Sequence, residues 1–115
     1  MIKHTIQAFN YSLDGLKTTF QDEVAFRLLL VQSFLVALLI FLFPMSYLQQ
    51  AILFISVAIC LLTELLNSAI ENVVDLVTSD WHIHAKKAKD MGSAAQFVAM
   101  CSLYIQIFLI FFSSL

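Results

Sequence analysis

The stretch Ala58-Ile-Cys-Leu-Leu-Thr-Glu64-Leu-Leu-Asn67-Ser-Ala-Ile-Glu71-Asn-Val-Val-Asp75 carries a long apolar run into a row of polar side chains. Glu64, Asn67, Glu71 and Asp75 are spaced 3, 4 and 4 apart, so all four fall along one stripe of a helix. No charge precedes Glu64 until Arg27. An acid placed deep in an apolar membrane helix costs about 2.5–3.5 kcal/mol on insertion scales, and intramembrane acids are functional by default. Acids sharing a stripe also repel one another unless something positive stands between them. A divalent cation, which takes oxygen ligands, is the simplest such group.

Working outward, the chain has 115 residues, 61% of them hydrophobic and 12% charged, with two glycines and one proline. That composition predicts one domain over 1–115 and excludes disorder and loop-rich folds. Charge-free stretches run from Leu28 to Thr63 and from Met91 to Leu115. The first would be about 54 Å long as one helix, well beyond a hydrocarbon core of roughly 30 Å. Pro44, followed by Met45 and Ser46, breaks it near its middle. The expected membrane-crossing helices are 26–43, 48–70 and 92–112, with the polar segment 75–90 as a connecting loop.

All six basic residues, Lys3, Lys17, Arg27, Lys86, Lys87 and Lys89, lie before the first crossing or between the second and third. The positive-inside rule therefore puts the N-terminus and the 75–90 loop in the cytoplasm and the C-terminus outside. Over residues 1–22, Ile2, Ile6, Phe9, Leu13, Leu16 and Phe20 recur at helical spacing, with Lys3, Gln7, Asn10, Asp14 and Lys17 off that stripe. This reads as an amphipathic helix lying on the membrane surface, not as a secretory signal. Gly15 within it marks a bend or a close contact. Cys60 and Cys101 sit singly in different expected membrane helices and read as small apolar residues.

Much chemistry is excluded. Two glycines cannot build a glycine-rich phosphate loop, and there is no G-x-S-x-G turn. His82 and His84, two apart with no cysteine nearby, read as a solvated loop ahead of a zinc site. What remains is a set of carboxylates, one amide and a short basic run. Glu64 is the deepest acid and a candidate general base. Glu71, two turns nearer the cytoplasm, suits a cation ligand. Asp75 belongs at the water line. Glu23 and Arg27 form an i,i+4 pair in the favoured order, which predicts a helix-surface ion pair. Glu23 becomes a second metal ligand if the first helix brings it beside Glu71. Asp90 suits the cap of a helix starting near Met91, and Lys89 can neutralise a phosphate.

The string Glu64-Leu-Leu-Asn67-Ser-Ala-Ile-Glu71-Asn-Val-Val-Asp75, followed by Ala88-Lys89-Asp90-Met91-Gly92-Ser93-Ala94-Ala95, closely resembles the small integral-membrane diacylglycerol kinases of bacteria. Tyr11-Ser12 through Gly15 and Glu23-Val-Ala-Phe26-Arg27 also look like segments of that family. The resemblance implies an all-α membrane protein: three transmembrane helices and an N-terminal surface helix, assembled as a homotrimeric bundle. It implies transfer of the γ-phosphate of MgATP to the hydroxyl of diacylglycerol, in a bacterial inner membrane. By resemblance Glu64 is the general base, Glu23 and Glu71 hold Mg²⁺, and Asn67 supports the site. Lys89 and Asp90 serve the nucleotide, with Tyr11, Glu23 and Asp75 among the substrate or nucleotide contacts.

This chain departs from the family at Leu29, where an acid is expected, and at Asp80 and Trp81, where Glu and Tyr are usual. Two other readings compete. One is an undecaprenol kinase, a related activity. The other is a proton- or ion-conducting oligomer built around Glu64, which explains a buried acid but not the convergence of Asn67, Glu71 and the lysines at the same end.

Overall fold

A computed structural model describes residues 1–113 as four helices: α1 (Ile2–Asp22), α2 (Val24–Leu42), α3 (Tyr47–Val77) and α4 (Ile83–Ser113). The last three are long and apolar enough to cross a membrane. No strand occurs among the described residues. The fold is therefore all-α, with three candidate membrane spans and an amphipathic helix ahead of them. None of the α1 residues is buried, and its apolar stripe from Ile2 to Phe20 stays exposed.

Helix boundaries follow local chemistry. The α1 helix stops at Glu23, whose extended backbone (φ −115°, ψ 110°) turns the chain into α2. Arg27 then reaches back: its Nη1 donates to the carbonyls of Phe20 (2.6 Å) and Gln21 (3.1 Å), satisfying the open end of α1. This replaces the expected ion pair with Glu23. A rigid guanidinium finds two unpaired carbonyls within reach, and these compete successfully with one half-buried carboxylate.

At Pro44 the chain leaves α2, and Ser46 opens α3 with a reciprocal capping box. Its hydroxyl accepts from the Gln49 N–H (3.2 Å), and the Gln49 side chain accepts from the Ser46 N–H (2.9 Å).

Two sequence expectations are corrected. Segment 75–90 is mostly helix: α3 runs through Val77 and α4 starts at Ile83, leaving Thr78–His82 as the corner. Ala85, Lys86, Lys87, Ala88 and Lys89 are good helix formers, and Lys86 pairs with Asp90 one turn on at 2.6 Å. Asp90 is consequently an interior helix residue and not a cap. Gly15 neither bends α1 nor makes a close contact, since nothing stands within 4 Å of where its Cβ would be.

The α3 helix is the centre of the bundle, packed closely along α4 and along α2 on another side. The core between them is Val36, Leu53, Cys60, Ala99, Leu103 and Ile110. A row of polar pairs sets the antiparallel register of α3 and α4: Ser56 donates to Gln106 (2.5 Å), Thr63 donates to Gln96, and Lys89 pairs with Asp75 (2.8 Å). On the α2 side Tyr104 donates to Gln32 (2.5 Å). The Ser56–Gln106 and Thr63–Gln96 bonds join helices where water cannot compete. Both cysteines are free.

Candidate functional site

The helical spacing of the acidic stripe becomes a burial gradient along α3. Glu64 and Asn67 are buried, at 6% and 9% exposure, whereas Glu71 is half-buried and Asp75 is exposed. Among the described residues no hydrogen bond or ion pair engages the Glu64 carboxylate. Glu23 and Glu71 stand close enough to act electrostatically on it. The bend at Glu23 thus brings a carboxylate from the α1–α2 junction to the α3 stripe. Buried polar groups are ordinarily paired, so an unpaired acid under the influence of two others stands out among the buried side chains.

Asn67 lies between Glu64 and Glu71, and its Oδ1 is fully buried with no hydrogen-bond partner. It faces α4 at Gly92, itself buried. Toward the corner, Asp75, Lys89, Lys86 and Asp90 line a bowl of about 320 Å³ with Asp80, Trp81 and His82. The Lys89 ammonium, on the polar first turns of α4, is held above its ordinary value mainly by its hydrogen bond to Asp75, with Glu71 adding to the effect. Asp90 lines the same bowl but spends one oxygen on Lys86.

The structure therefore draws Glu23, Glu64, Asn67 and Glu71 into one neighbourhood, with Asp75, Lys89 and Asp90 beside the corner. Tyr11 remains 70% exposed on α1. Nearby Ser12, Asp14 and Thr19 of α1 line a groove of about 640 Å³ with Ser68 and Asn72 of α3. Leu29 is buried at 6% exposure and packs as a core residue, so an acid at that position would be desolvated here. His82 and His84 stack, with His84 N–H donating to His82 Nδ1, a local turn contact.

Sequence reasoning missed Gly92 and the intramembrane glutamines Gln32, Gln96 and Gln106. Amides inside an otherwise apolar run are a readable signal for helix–helix hydrogen bonds. A glycine followed by Ser93, Ala94 and Ala95 is a readable signal for close approach.

Among the described residues, no three of His, Cys, Asp and Glu come together to hold a metal by themselves. Mg²⁺ does not require that: it is commonly held by one or two carboxylates together with substrate phosphates and water. The donors available here, the carboxylates of Glu23 and Glu71, are all oxygen and fit that mode.

Three helices long and apolar enough to cross a membrane, with an acidic stripe at one end, mark an integral-membrane protein. Comparison with known proteins makes the assignment specific. The family model for prokaryotic diacylglycerol kinase matches residues 10–111. The chain is 42% identical to a diacylglycerol kinase of Pseudomonas aeruginosa over 99 residues, covering 86% of this chain and 80% of that one. It is 39% identical to one of Haemophilus influenzae over 103 residues, 87% and 85% of the two chains. It is 38% identical to one of Escherichia coli over 95 residues, 83% and 78%. The chain belongs to the prokaryotic diacylglycerol kinase family.

Proposed function

We propose that this chain is itself a diacylglycerol kinase, transferring the γ-phosphate of ATP to the hydroxyl of diacylglycerol to give phosphatidic acid. The observation that carries the reading is the buried, unpaired Glu64 carboxylate at the membrane end of the Glu64–Asn67–Glu71–Asp75 stripe. A lipid hydroxyl sits at the membrane interface, and a base at that depth reaches it. Glu64 takes the hydroxyl proton, the lipid oxygen attacks the γ-phosphorus, and ADP leaves. Phosphoryl transfer asks the protein mainly for positioning and charge neutralisation. Lys89 supplies a cation at the corner, and Asn67 supplies a neutral polar group between the acids. Glu23 and Glu71 would hold Mg²⁺, which would supply charge neutralisation for the transferred phosphate. Asp75 and Asp90 hold and space the lysines that meet the nucleotide. Tyr11 contributes from α1.

The working unit in this reading is a homotrimer. Support comes from the α3–α4 groove of about 460 Å³, where Ala95, Ala99 and Ser102 leave room for a helix of another copy to approach closely. The membrane is the bacterial inner membrane, with the N-terminus and the Thr78–His82 corner cytoplasmic and the C-terminus periplasmic. A cysteine at Tyr47, 90% exposed at the opposite turn, should label with an impermeant reagent from the periplasm, and one at Trp81 from the cytoplasm. The reverse pattern would invert the topology.

The deciding experiment incubates purified protein in lipid with labelled ATP and offers diacylglycerol and undecaprenol separately. Label in phosphatidic acid is the expected result. Label in undecaprenyl phosphate alone would reassign the substrate. Label in neither lipid, with a proton flux through vesicles, would favour a conducting oligomer.

A further inference from the structure

Glycine inside a helix is unfavourable relative to alanine because it gives up more backbone freedom and packs nothing. The two glycines of this chain both lie inside helices, and neither has a positive φ. Backbone conformation therefore explains neither of them. Around Gly15 the space is open, and a methyl group would meet nothing within 4 Å. Gly92 is the opposite case. A Cβ there would fall on Oδ1 of Asn67, 3.2 Å from its Cγ and 3.8 Å from its Cα. The first of these contacts is closer than a real Cβ tolerates, so the amide group would have to leave its place.

That place matters because Asn67 sits between Glu64 and Glu71 on the α3 stripe, with its Oδ1 buried and unpaired. We infer that Gly92 is a positioning residue for the transfer reaction: by having no side chain, it gives the Asn67 amide its seat against α4, with Oδ1 turned onto the Gly92 backbone and the residue held between Glu64 and Glu71. This rests on the lipid-kinase reading. The residue touches no reacting atom and acts through Asn67. The same contact fixes how deeply α4 seats against α3, one turn from where Lys89 meets Asp75.

The consequence is a specific pattern of coupling. Neighbouring residues that act through one contact are non-additive when changed together. Four proteins separate the possibilities: the parent, Gly92→Ala, Asn67→Ala and the double variant. Each is measured for kcat and KM on diacylglycerol and MgATP, and for thermal unfolding in the same lipid. A 1 Å misplacement of a site group typically costs roughly a hundredfold. Gly92→Ala should therefore lose about ten- to a hundredfold in kcat/KM in the parent background. In the Asn67→Ala background, where the methyl group has room, it should lose nothing further.

Equal losses in both backgrounds would overturn the inference, as would a Gly92→Ala protein within a few-fold of the parent. If Gly92→Ala alone fails to fold, a folded double variant upholds the Asn67 contact, and an unfolded double variant overturns it. If the parent phosphorylates neither lipid, the function reading fails on its own. The unfolding temperatures still report the contact: Gly92→Ala should lower that of the parent but not that of Asn67→Ala, where only the gain in helix propensity remains.

Discussion

The α3 and α4 helices are packed against each other under two different rules. Toward the Ser46 end, Leu53, Cys60, Ala99, Leu103 and Ile110 fill the interface, and Leu103 is fully buried. Polar side chains there are matched, Ser56 with Gln106 and Thr63 with Gln96. Toward the corner, the buried side chains are Glu64, Asn67 and Ser68 beside Gly92, and the Glu64 carboxylate and Asn67 Oδ1 are unmatched. The first half is built for stability: its groups are satisfied and its space is filled. The second accepts unpaired polar groups and a glycine in mid-helix. Strained or unsatisfied features persist in a fold when the surrounding structure over-determines them, and they cluster where function needs them. The apolar half supplies that surrounding structure.

If this division is real, changes in the two halves should move different observables. The largest effect is expected at Glu64. Glu64→Gln keeps size and hydrogen bonding and removes the ability to take a proton, so kcat should fall at least about a hundredfold, near 2.7 kcal/mol of barrier. An uncharged amide is easier to bury, so thermal stability should not fall. A kcat within a few-fold of the parent would end the general-base role.

Leu103→Ala should do the reverse. It opens a cavity in the filled half and should cost about 2 kcal/mol, the low end for such truncations because lipid rather than water is the alternative environment. Activity per folded protein should hold. A rate that collapses without loss of stability would dissolve the distinction between the halves.

Glu71→Gln removes one ligand charge and should raise the Mg²⁺ concentration for half-maximal rate at least about tenfold, or 1.4 kcal/mol. An unchanged Mg²⁺ dependence would remove Glu71 from the metal.

The smallest effect belongs to the corner. Lys89 and Asp75 are 43% and 65% exposed, so Asp75→Asn should leave the unfolding temperature nearly unchanged. A clear drop would make that ion pair a structural brace.

The long elements were legible because membrane helices announce themselves through uninterrupted apolar length, and Pro44 and Ser46 mark the turn with residues that leave little choice. The acidic stripe was legible for the same reason: spacing alone aligns Glu64, Asn67, Glu71 and Asp75. What spacing cannot convey is a partner on another helix. The Glu23–Arg27 pattern suits an ion pair, yet Arg27 turns to the carbonyls ending α1, which exist only because the chain bends at Glu23. The 75–90 segment looks like a loop because it is polar, but polarity at a helix end reflects water and not irregular backbone. Gly92 was hidden because a missing side chain becomes informative only once the facing residue is known.

The length of α3 carries a last consequence. From Tyr47, at the opening turn, to Glu64 the helix climbs about 26 Å at 1.5 Å per residue. Aromatic residues anchor at the membrane–water boundary, so Tyr47 sets a zero mark, and Glu64 falls just short of a hydrocarbon thickness of roughly 30 Å. The helix works as a ruler. In a thinner bilayer the carboxylate would emerge among the headgroups, and in a thicker one it would sink below the level of the lipid hydroxyl unless the helix changed its tilt. With Glu64 as the base, acyl-chain length in the host membrane should tune the rate through vertical alignment, independently of any preference for the chains of the substrate.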